Sequence, residues 1–398
     1  MSTYFKAADI LLPKTADMGK WAVIACDQFT SDVAYWERVR RNADNVVSTL
    51  HMILPEAELP AANEDTIAAI NACMRNYLAN DVFVEYKNAY IYVERTLQNG
   101  MIRQGIVGML DLEHYEYDPA LHPMISATEK TVLERIPPRV AVRKDAELEF
   151  THVLLLCEDP ACHLIESVAA VKDSLPQLYD FNLMENGGHI AGWLVAGENA
   201  AAFDRLLDQY EQNNVYLVGD GNHSLVTAKT CYEAIKSTGV QTCDHPARYA
   251  MVELENIHSP AMTFEPIHRI LTKVDAAKLL QDLQSICGSE GDCVEWIVGK
   301  SKGKLMIQTP KGELTVGILQ QFLDQWLQEN AGEIDYIHGD DAVEELAQQD
   351  NAIGFLLPGM PKSALFPFVA TGRTLPRKTF SMGHGCEKRY YLEGRRIK

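Results

Sequence analysis

Apolar residues in this chain occur in short runs, and these runs constrain the fold more than any other feature. Val153–Cys157 is a representative run of five apolar residues, which is the length of a buried strand. Residues 63–78 and 198–212 instead space their apolar residues along one face of a helix. No run approaches the ~18 apolar residues that a membrane span requires. We therefore expect strands and helices in one globular protein, with no membrane partner.

Turn signals connect these elements in a mixed order. Gln98-Asn99-Gly100 between residues 82–93 and 101–110 is typical of a β-hairpin. Residues 21–26 are predicted to form a strand, followed by a helix that Ser31 or Asp32 caps. Pro137 and Pro138 are predicted to interrupt a helix that begins near residue 126, since proline removes a donor and clashes with the preceding turn. Hairpins mixed with helices predict an α+β fold with a mixed sheet.

The texture of the sequence changes near residue 276. Residues 1–275 are predicted to form a core domain. Residues 276–350, with a hairpin at 309–312, are predicted to form a smaller appended α+β unit. Residues 351–398 form a C-terminal segment whose basic tail is expected to pack back on the core, or to reach an anionic ligand.

The formal net charge of −19 argues against nucleic acid as a partner, because surfaces that bind nucleic acids are strongly basic. The nine cysteines are scattered without a Cys-x-x-Cys pair, which favours buried free thiols over a zinc site. The sequence also begins without the charged start and apolar stretch of a signal peptide. A cytoplasmic location is expected.

Chemistry-bearing residues concentrate after the predicted strand at residues 215–218. The turn is followed by a helix over residues 224–236, whose first N–H groups and dipole favour an anion. The hydroxyl groups of Ser224 and Thr227 and the ring of His223 could donate hydrogen bonds to a phosphate. Asp220 could hold a metal ion. The alternative is an ordinary turn in which Asp220 or Asn222 caps the helix. The residues of the turn are Gly219, Asp220, Gly221, Asn222, His223 and Ser224.

This turn resembles the Asp-Gly-His-His-Arg turn of a bacterial and archaeal family known as domain of unknown function 1015. Other segments, spread over most of the chain, look like the same family. They are Thr128-Glu129-Lys130-Thr131, Tyr179-Asp180-Phe181, Gly187-Gly188-His189-Ile190, Pro266-Ile267-His268-Arg269 and Met360-Pro361-Lys362-Ser363. The family turn is in turn similar to the phosphate-binding turn of the ParB/sulfiredoxin fold, so the resemblance implies a ParB/sulfiredoxin-like core with helical and hairpin additions.

That fold includes kinases that phosphorylate free serine, and the resemblance implies roles for individual residues. Asp220 and His223 match the Asp and second His that serve phosphoryl transfer. Gly219 and Gly221 with Asn222, Ser224 and Thr227 would contact the nucleotide. The match fails at Ser224, where the family carries Arg, and at Asn222, which replaces the first His. The missing guanidinium requires a charge from elsewhere, such as Lys229, Arg269 or the basic tail.

Further candidates lie outside the turn. The resemblance places a catalytic carboxylate in an N-terminal loop, where Asp27, Asp32 and Glu37 stand; each could equally be a cap or a solvated residue. Glu265, His268 and Arg269 form a compact polar group, which could lie in a surface turn or provide nucleotide contacts through His268 and Arg269. Lys362 is a candidate anion contact.

The expected function is a small-molecule kinase. It would transfer phosphate from ATP or ADP, with Mg²⁺ held by Asp220, to a free hydroxyl amino acid such as serine. One alternative is a ParB-like nucleotide-binding switch without net catalysis. A sulfiredoxin-like reductase is disfavoured because it needs a cysteine in the turn, where position 222 is Asn. The expected partners are a nucleotide and a small molecule, and a homodimer remains open.

Overall fold

The computed structural model describes residues 4–131 and 133–398, apart from the side chains of Asp27, Pro60 and Leu133. The described chain separates into two units. Met1–Met262 and His384–Lys398 form the first unit, and Thr263–Gly383 forms the second.

The strands of the described chain are Phe5–Lys6 (β1), Ala8–Pro13 (β2), Phe83–Thr96 (β3), Ile102–Asp111 (β4), Tyr115–Glu116 (β5), Ile125–Ala127 (β6), Leu148–Phe150 (β7), Val153–Cys157 (β8), Gln177–Asn182 (β9), His189–Val195 (β10), Tyr216–Asp220 (β11), Tyr249–Asn256 (β12), Phe264–Thr272 (β13), Cys287–Val298 (β14), Ser301–Ile307 (β15), Glu333–His338 (β16), Ile353–Leu356 (β17), Phe380–Met382 (β18) and Gly394–Arg396 (β19). Its α-helices are Met18–Trp21 (α1), Val33–Ala43 (α2), Glu64–Ala79 (α3), Ile136–Arg143 (α4), Ile165–Ala169 (α5), Glu198–Tyr210 (α6), Asn222–Lys236 (α7), Ala276–Asp282 (α8), Thr315–Glu329 (α9), Asp340–Leu346 (α10) and Leu365–Val369 (α11). Among the described residues, none of these helices has both the length and the apolar composition needed to cross a membrane.

A large mixed sheet organises the first unit. Its main path runs β5-β6-β11-β8-β12-β4-β3-β2-β19-β7, and β1, β9 and β10 pair off this path. β11 is parallel to β6 and antiparallel to β8, while β12 is parallel to β8 and antiparallel to β4. The predicted combination of helices with a mixed sheet is therefore confirmed.

Both faces of this sheet are buried. Because successive side chains of a strand point to opposite faces, Tyr90 and Tyr92 of β3 join one apolar cluster with residues of α6 and α7. Ile91 and Val93 join a second cluster with residues of α2 and α3. The sheet is thus the middle layer of the first unit, and α7 lies on one of its faces.

The second unit is built on antiparallel pairs. In the described residues its sheet runs β15-β14-β17-β13-β16, with β18 also paired to β13. Leu319 and Leu323 of α9 are buried in one cluster with Leu271 of β13 and Phe355 of β17. This unit therefore has an apolar core of its own.

The division of the chain differs from the predicted ranges 1–275, 276–350 and 351–398. β13 already pairs with β16 and β17, so the second unit begins at Thr263 rather than at residue 276. β19 pairs with β2 and β7, which joins residues 384–398 to the first unit. Pairing between strands that are far apart in the sequence determines both boundaries. The local residue pattern does not reveal such pairing.

Several local predictions are confirmed and others are wrong. The hairpin of β3 and β4 and the helices α3 and α6 form where the sequence predicts them. The predicted strand at residues 21–26 does not form. Asp17 caps α1 by accepting a hydrogen bond from the Gly19 N–H, and Trp21 ends this helix with its indole N–H bonded to the Leu392 carbonyl. The apolar run is thus buried without pairing as a strand, apart from one bridge between Val23 and Tyr391.

The two prolines begin a helix instead of interrupting one. The segment near residue 126 is strand β6, and α4 starts at Ile136 with proline in its first turn. The first helical positions have no intrahelical acceptor for their N–H groups, so a residue without an N–H group costs nothing there. The hairpin predicted at residues 309–312 is also wrong, because β14 and β15 turn between Val298 and Ser301.

Candidate functional site

The predicted turn lies between β11 and α7. β11 is interior to the sheet, as its uninterrupted apolar run predicts, with β6 on one side and β8 on the other. Gly221 has φ 89°, and a Cβ at this position would lie 2.8 Å from Cγ2 of Val153. Glycine is therefore required here by both backbone conformation and space. Gly219 lies within β11, where the register with β8 shifts between Val218 and Asp220.

The helix begins two residues earlier than predicted. α7 starts at Asn222, so Ser224 lies in its first turn and does not open the helix. Among the described residues, no side chain caps the start of α7, so neither Asp220 nor Asn222 has the structural capping role considered as an alternative. Oδ1 of Asn222 is buried without a hydrogen-bond partner among the described atoms.

Asp220 pairs with a lysine from the C-terminal segment. Its Oδ1 accepts a hydrogen bond from the Gly221 N–H at 2.8 Å, and its Oδ2 lies 3.1 Å from Nζ of Lys388. The Lys388 backbone is held by two buried arginines. The Arg95 guanidinium donates to the carbonyls of Glu387 and Lys388, and Arg103 donates to the carbonyl of Glu387. A cation from the basic tail is thus fixed beside the turn.

Ser224 forms a hydrogen bond with His152, the residue before β8. The Ser224 Oγ lies 2.6 Å from Nε2 of His152, and Nδ1 of the same ring lies 3.1 Å from the Phe150 carbonyl oxygen. A carbonyl oxygen can only accept, so Nδ1 carries the proton of a neutral ring and Nε2 accepts from the serine hydroxyl. Burial lowers the pKa of His152, and the ring stacks on Tyr391 with centroids 4.6 Å apart. His152 is therefore a neutral base that points at Ser224.

A cavity of about 170 Å³ opens beside this pair in the first unit. Its walls combine apolar side chains from several elements with ionic groups. The polar lining residues are Glu56, Arg139, Arg143, Glu149, His152, Ser224 and Thr227. Pockets that hold drug-sized ligands measure roughly 300–1,000 Å³, so this cavity suits a molecule of only a few heavy atoms.

The ionic groups of the cavity form two pairs. The Arg139 guanidinium contacts the carboxylate of Glu56, and Nη2 of Arg143 lies 2.6 Å from the carboxylate of Glu149. Burial raises the pKa of Glu149, but Arg143 and Arg395 more than offset this effect and lower it to about 2. Glu149 is thus a permanent anion between two arginines, whereas Glu56 has a single arginine beside it.

Of the remaining predicted residues of α7, Thr227 lines this cavity. Thr227 is buried in its wall, and its hydroxyl donates to the His223 carbonyl at 2.7 Å. His223 itself is half-buried in the first turn of α7. The turn therefore brings Asp220, His223, Ser224 and Thr227 to one end of β11.

The three N-terminal carboxylates have different surroundings. Asp32 caps α2 by accepting a hydrogen bond from the Tyr35 N–H at 2.9 Å, and Glu37 is exposed on the same helix. Asp27 begins a short 3₁₀ turn two residues after Ala25, which lines the cavity. The Asp27 side chain lies outside the described part of the structure, so its catalytic role stays a prediction, as does that of Glu37.

The other predicted nucleotide contacts belong to the second unit. Arg269 is fully buried, and its guanidinium donates to the Gln320 side chain and to the carbonyls of Arg377 and Lys378. His268 is also buried, with Nε2 2.8 Å from the Asp340 carboxylate. Burial lowers the pKa of Lys362, which begins a 3₁₀ turn. Their roles as nucleotide contacts stay predictions.

A larger hollow of about 710 Å³ lies on the second unit, between the segments around Lys273 and Gln348. Lys273 forms an exposed ion pair with Glu333. The described residues that line this hollow include neither a histidine nor an arginine–carboxylate pair, whereas the cavity beside Ser224 has His152 and two such pairs. The smaller cavity is therefore the candidate site.

Sequence reasoning missed Glu56 and His152 and gave Lys388 only as part of a basic tail. Arg139 and Arg143 were not among its candidates, because Pro137 and Pro138 were predicted to interrupt a helix. Once the prolines are placed at the helix start, the spacing of four residues puts both arginines on one face of α4. His152 is a lone histidine beside an apolar strand, a pattern that carries no functional signal.

Comparison with models of protein families shows which family the chain belongs to. The family model described as a protein of unknown function (DUF1015) matches residues 7–365. The chain belongs to the DUF1015 family. A comparison of this DUF1015 chain with curated proteins gave no match.

Solved structures show weak similarity to this DUF1015 chain. A free serine kinase in complex with AMP is 12% identical, with a TM-score of 0.39 over 73% of this chain and 91% of the kinase. SbnI with a C-terminal truncation from Staphylococcus aureus is 11% identical, with a TM-score of 0.38 over 70% of this chain and 82% of that protein. Likeness at this level carries no argument about the activity of the chain.

Proposed function

We propose that this protein is a phosphotransferase that moves a phosphoryl group from ATP or ADP to the hydroxyl group of a free amino acid such as serine. The observation that carries the proposal is the chemistry of the cavity beside α7. Arginines and carboxylates face one small space, and Ser224 and His152 line its wall. These are complementary to the carboxylate, ammonium and hydroxyl groups of a hydroxyl amino acid.

Each end of such an acceptor has a partner in the cavity. Arg139 and Arg143 would bind its carboxylate, because guanidinium groups bind carboxylates with two parallel hydrogen bonds. Glu56 would bind the ammonium group, since only one arginine neutralises it. Glu149 is less suited to this role because Arg143 and Arg395 already neutralise it. The size of the cavity favours an acceptor as small as serine and excludes a nucleotide from the same space.

The nucleotide would lie at the turn between β11 and α7. The glycines at 219 and 221 allow a phosphate to approach the backbone closely, and the start of α7 favours a negative charge. Asn222, Ser224 and Thr227 would add contacts, and Lys388 would supply the cation that the family arginine provides at position 224. In this reading the strand, turn and helix are the phosphate-binding part of a ParB/sulfiredoxin-like core.

Asp220 is the residue that would hold Mg²⁺, which neutralises charge on the phosphates when it is bound. The described residues contain no cluster of three or more potential metal ligands. Mg²⁺ is commonly bound by one or two carboxylates together with substrate phosphates, so under this proposal Asp220 would act with the nucleotide. Lys388, now paired with Asp220, would turn to the phosphate oxygens.

Transfer also needs an acceptor for the hydroxyl proton. Asp27 is the better placed of the two predicted carboxylates, because its backbone follows Ala25 in the cavity wall while Glu37 is exposed on α2. His223 would donate to a phosphoryl oxygen during transfer.

The test is incubation of the purified protein with a panel of amino acids, Mg²⁺ and either ATP or ADP, with products identified by mass spectrometry. We expect a phosphorylated hydroxyl amino acid, and no product from alanine, which lacks the hydroxyl. Nucleotide binding without any phosphorylated product would instead favour the nucleotide-switch alternative. Absence of nucleotide binding would reject the site altogether.

A further inference from the structure

Ser224 differs in its hydrogen bond from the other serine and threonine residues in α7 and at its C-terminal cap. Thr227 and Thr230 donate to backbone carbonyls four residues earlier, and Ser237 donates to the Ala234 carbonyl. These bonds are the usual local contacts of hydroxyl groups in helices. The Ser224 hydroxyl instead points away from the helix backbone to His152.

The group that receives this hydrogen bond is an oriented base. The Phe150 carbonyl fixes the His152 tautomer through Nδ1, and the ring stacks on Tyr391. A hydroxyl, a base within hydrogen-bond reach and a third group that orients the base together form the arrangement of an activated nucleophile. Burial lowers the pKa of His152, which keeps Nε2 able to accept a proton at neutral pH.

The surroundings of Ser224 would stabilise a phosphate on its oxygen. Arg139 and Arg143 line the same cavity, and the residue lies in the first turn of α7, where the helix dipole favours negative charge. A phosphoserine at a helix start facing arginines gains charge-assisted hydrogen bonds. The proposed nucleotide position at Asp220 is adjacent along the same turn.

We propose that Ser224 is itself a phosphoryl acceptor, which takes the group from the nucleotide and passes it to the small-molecule acceptor. The proposal rests on the proposed function, which supplies the nucleotide. In the first step the Ser224 Oγ–P bond forms, the bond between the terminal phosphorus of ATP and its bridging oxygen breaks, and ADP leaves. The Ser224 proton moves to Nε2 of His152. In the second step the acceptor hydroxyl takes the phosphoryl group, its proton goes to the catalytic carboxylate, and His152 returns its proton to Oγ of Ser224.

The experiment uses the full chain with ATP and Mg²⁺ but without an amino acid. Intact mass spectrometry and peptide mapping are expected to show one phosphoryl group on Ser224 and one ADP released per labelled chain. Addition of serine is expected to discharge the label and yield phosphoserine. Ser224→Ala should not be labelled, and His152→Gln should be labelled about 100-fold more slowly, as expected for loss of a general base. Ser237→Ala, at the other end of α7, is the matched control and should be labelled like the unaltered chain.

Two results would overturn the inference while leaving the proposed function intact. One is formation of phosphorylated amino acid by Ser224→Ala at the rate of the unaltered chain. The other is a label on Ser224 that serine does not discharge. If the unaltered chain yields neither label nor product with any acceptor, the proposed function and this inference both fail.

Discussion

The ammonium group of Lys388 lies 3.1 Å from Oδ2 of Asp220, although the whole of Thr263–Gly383 separates the two residues in the sequence. Lys388 is largely buried, and Arg95 and Arg103 hold its backbone in place. The protein therefore has a cation next to the turn that leads from β11 into α7.

Replacement of Asp220 by Asn should abolish turnover and preserve the fold. Asn retains the oxygen that accepts from the Gly221 N–H, but it loses the charge that would hold Mg²⁺. We expect the turnover rate for phosphoserine formation to fall by at least about 100-fold. The free energy of unfolding should change by no more than about 1 kcal/mol, because the Asp220 carboxylate is partly exposed. Asp118→Asn is a matched control, since Asp118 also accepts a backbone N–H near the surface. Full activity of Asp220→Asn would show that the Asp220 charge is not needed for turnover and that the residue only accepts the hydrogen bond from the Gly221 N–H.

Lys388→Met should weaken nucleotide binding more than acceptor binding. Loss of one charged phosphate contact corresponds to about a 10-fold rise in Kd for ATP. Isothermal titration calorimetry with ATP and Mg²⁺ would measure it. Lys172→Met is the control, because Lys172 also pairs with a carboxylate in the first unit, that of Glu94. Equal Kd values for the two variants would contradict a phosphate contact by Lys388.

Glu56→Gln should weaken binding of the amino acid and leave binding of the nucleotide unchanged. Removal of the carboxylate that would bind the acceptor ammonium group is expected to raise KM for serine by about 10- to 100-fold. KM for ATP should stay unchanged. Glu58→Gln is a close control, since Glu58 lies two residues away and pairs with Arg40 on the surface. A parallel rise in both KM values would show that Glu56 does not bind the acceptor.

Activity should persist to a lower pH than an ordinary histidine would allow. Burial lowers the pKa of His152 below its usual 6.5, although the hydrogen bond to the Phe150 carbonyl and the charges of Asp220 and Glu149 oppose this effect and Arg143 adds to it. The neutral base is thus retained at pH 6.5 and is lost only on further acidification. The acid limb of kcat against pH should accordingly lie below 6.5 and disappear in His152→Gln. A limb at or above 6.5 in the unaltered chain would be inconsistent with His152 as the base.

The same lowered pKa affects stability. The unfolded chain binds the His152 proton more readily than the folded chain, so the contribution of this residue to stability falls as pH drops below about 6.5. Urea unfolding at several pH values would measure the effect. His152→Gln should remove this part of the pH dependence.

The sequence predicts the strand–turn–helix at residues 215–236 because propensity, periodicity and glycine placement agree there. The prediction fails at Pro137 and Pro138, because proline can either break a helix or begin one. The preceding segment pairs as strand β6, so the two prolines begin a helix, and this pairing cannot be read from the local sequence. Glu56 and His152 come to the cavity from separate segments through tertiary packing, so no local spacing could bring them together. The sequence indicates Lys388 only as one residue of a basic tail. Its ion pair with Asp220 forms only in the folded chain, so the sequence does not distinguish Lys388 from the other basic residues of the tail.

The placement of residues 384–398 has a consequence for the order of synthesis. β19 lies between β2 and β7 in the sheet, yet it is made after the whole of Thr263–Gly383. A growing chain can therefore complete the second unit while the first still lacks a strand, and domains generally fold as units during translation. Asp220 has no Lys388 beside it during that interval. Under the proposed function, a chain whose β19 is not yet paired in the sheet is thus expected to bind nucleotide more weakly than the fully folded chain.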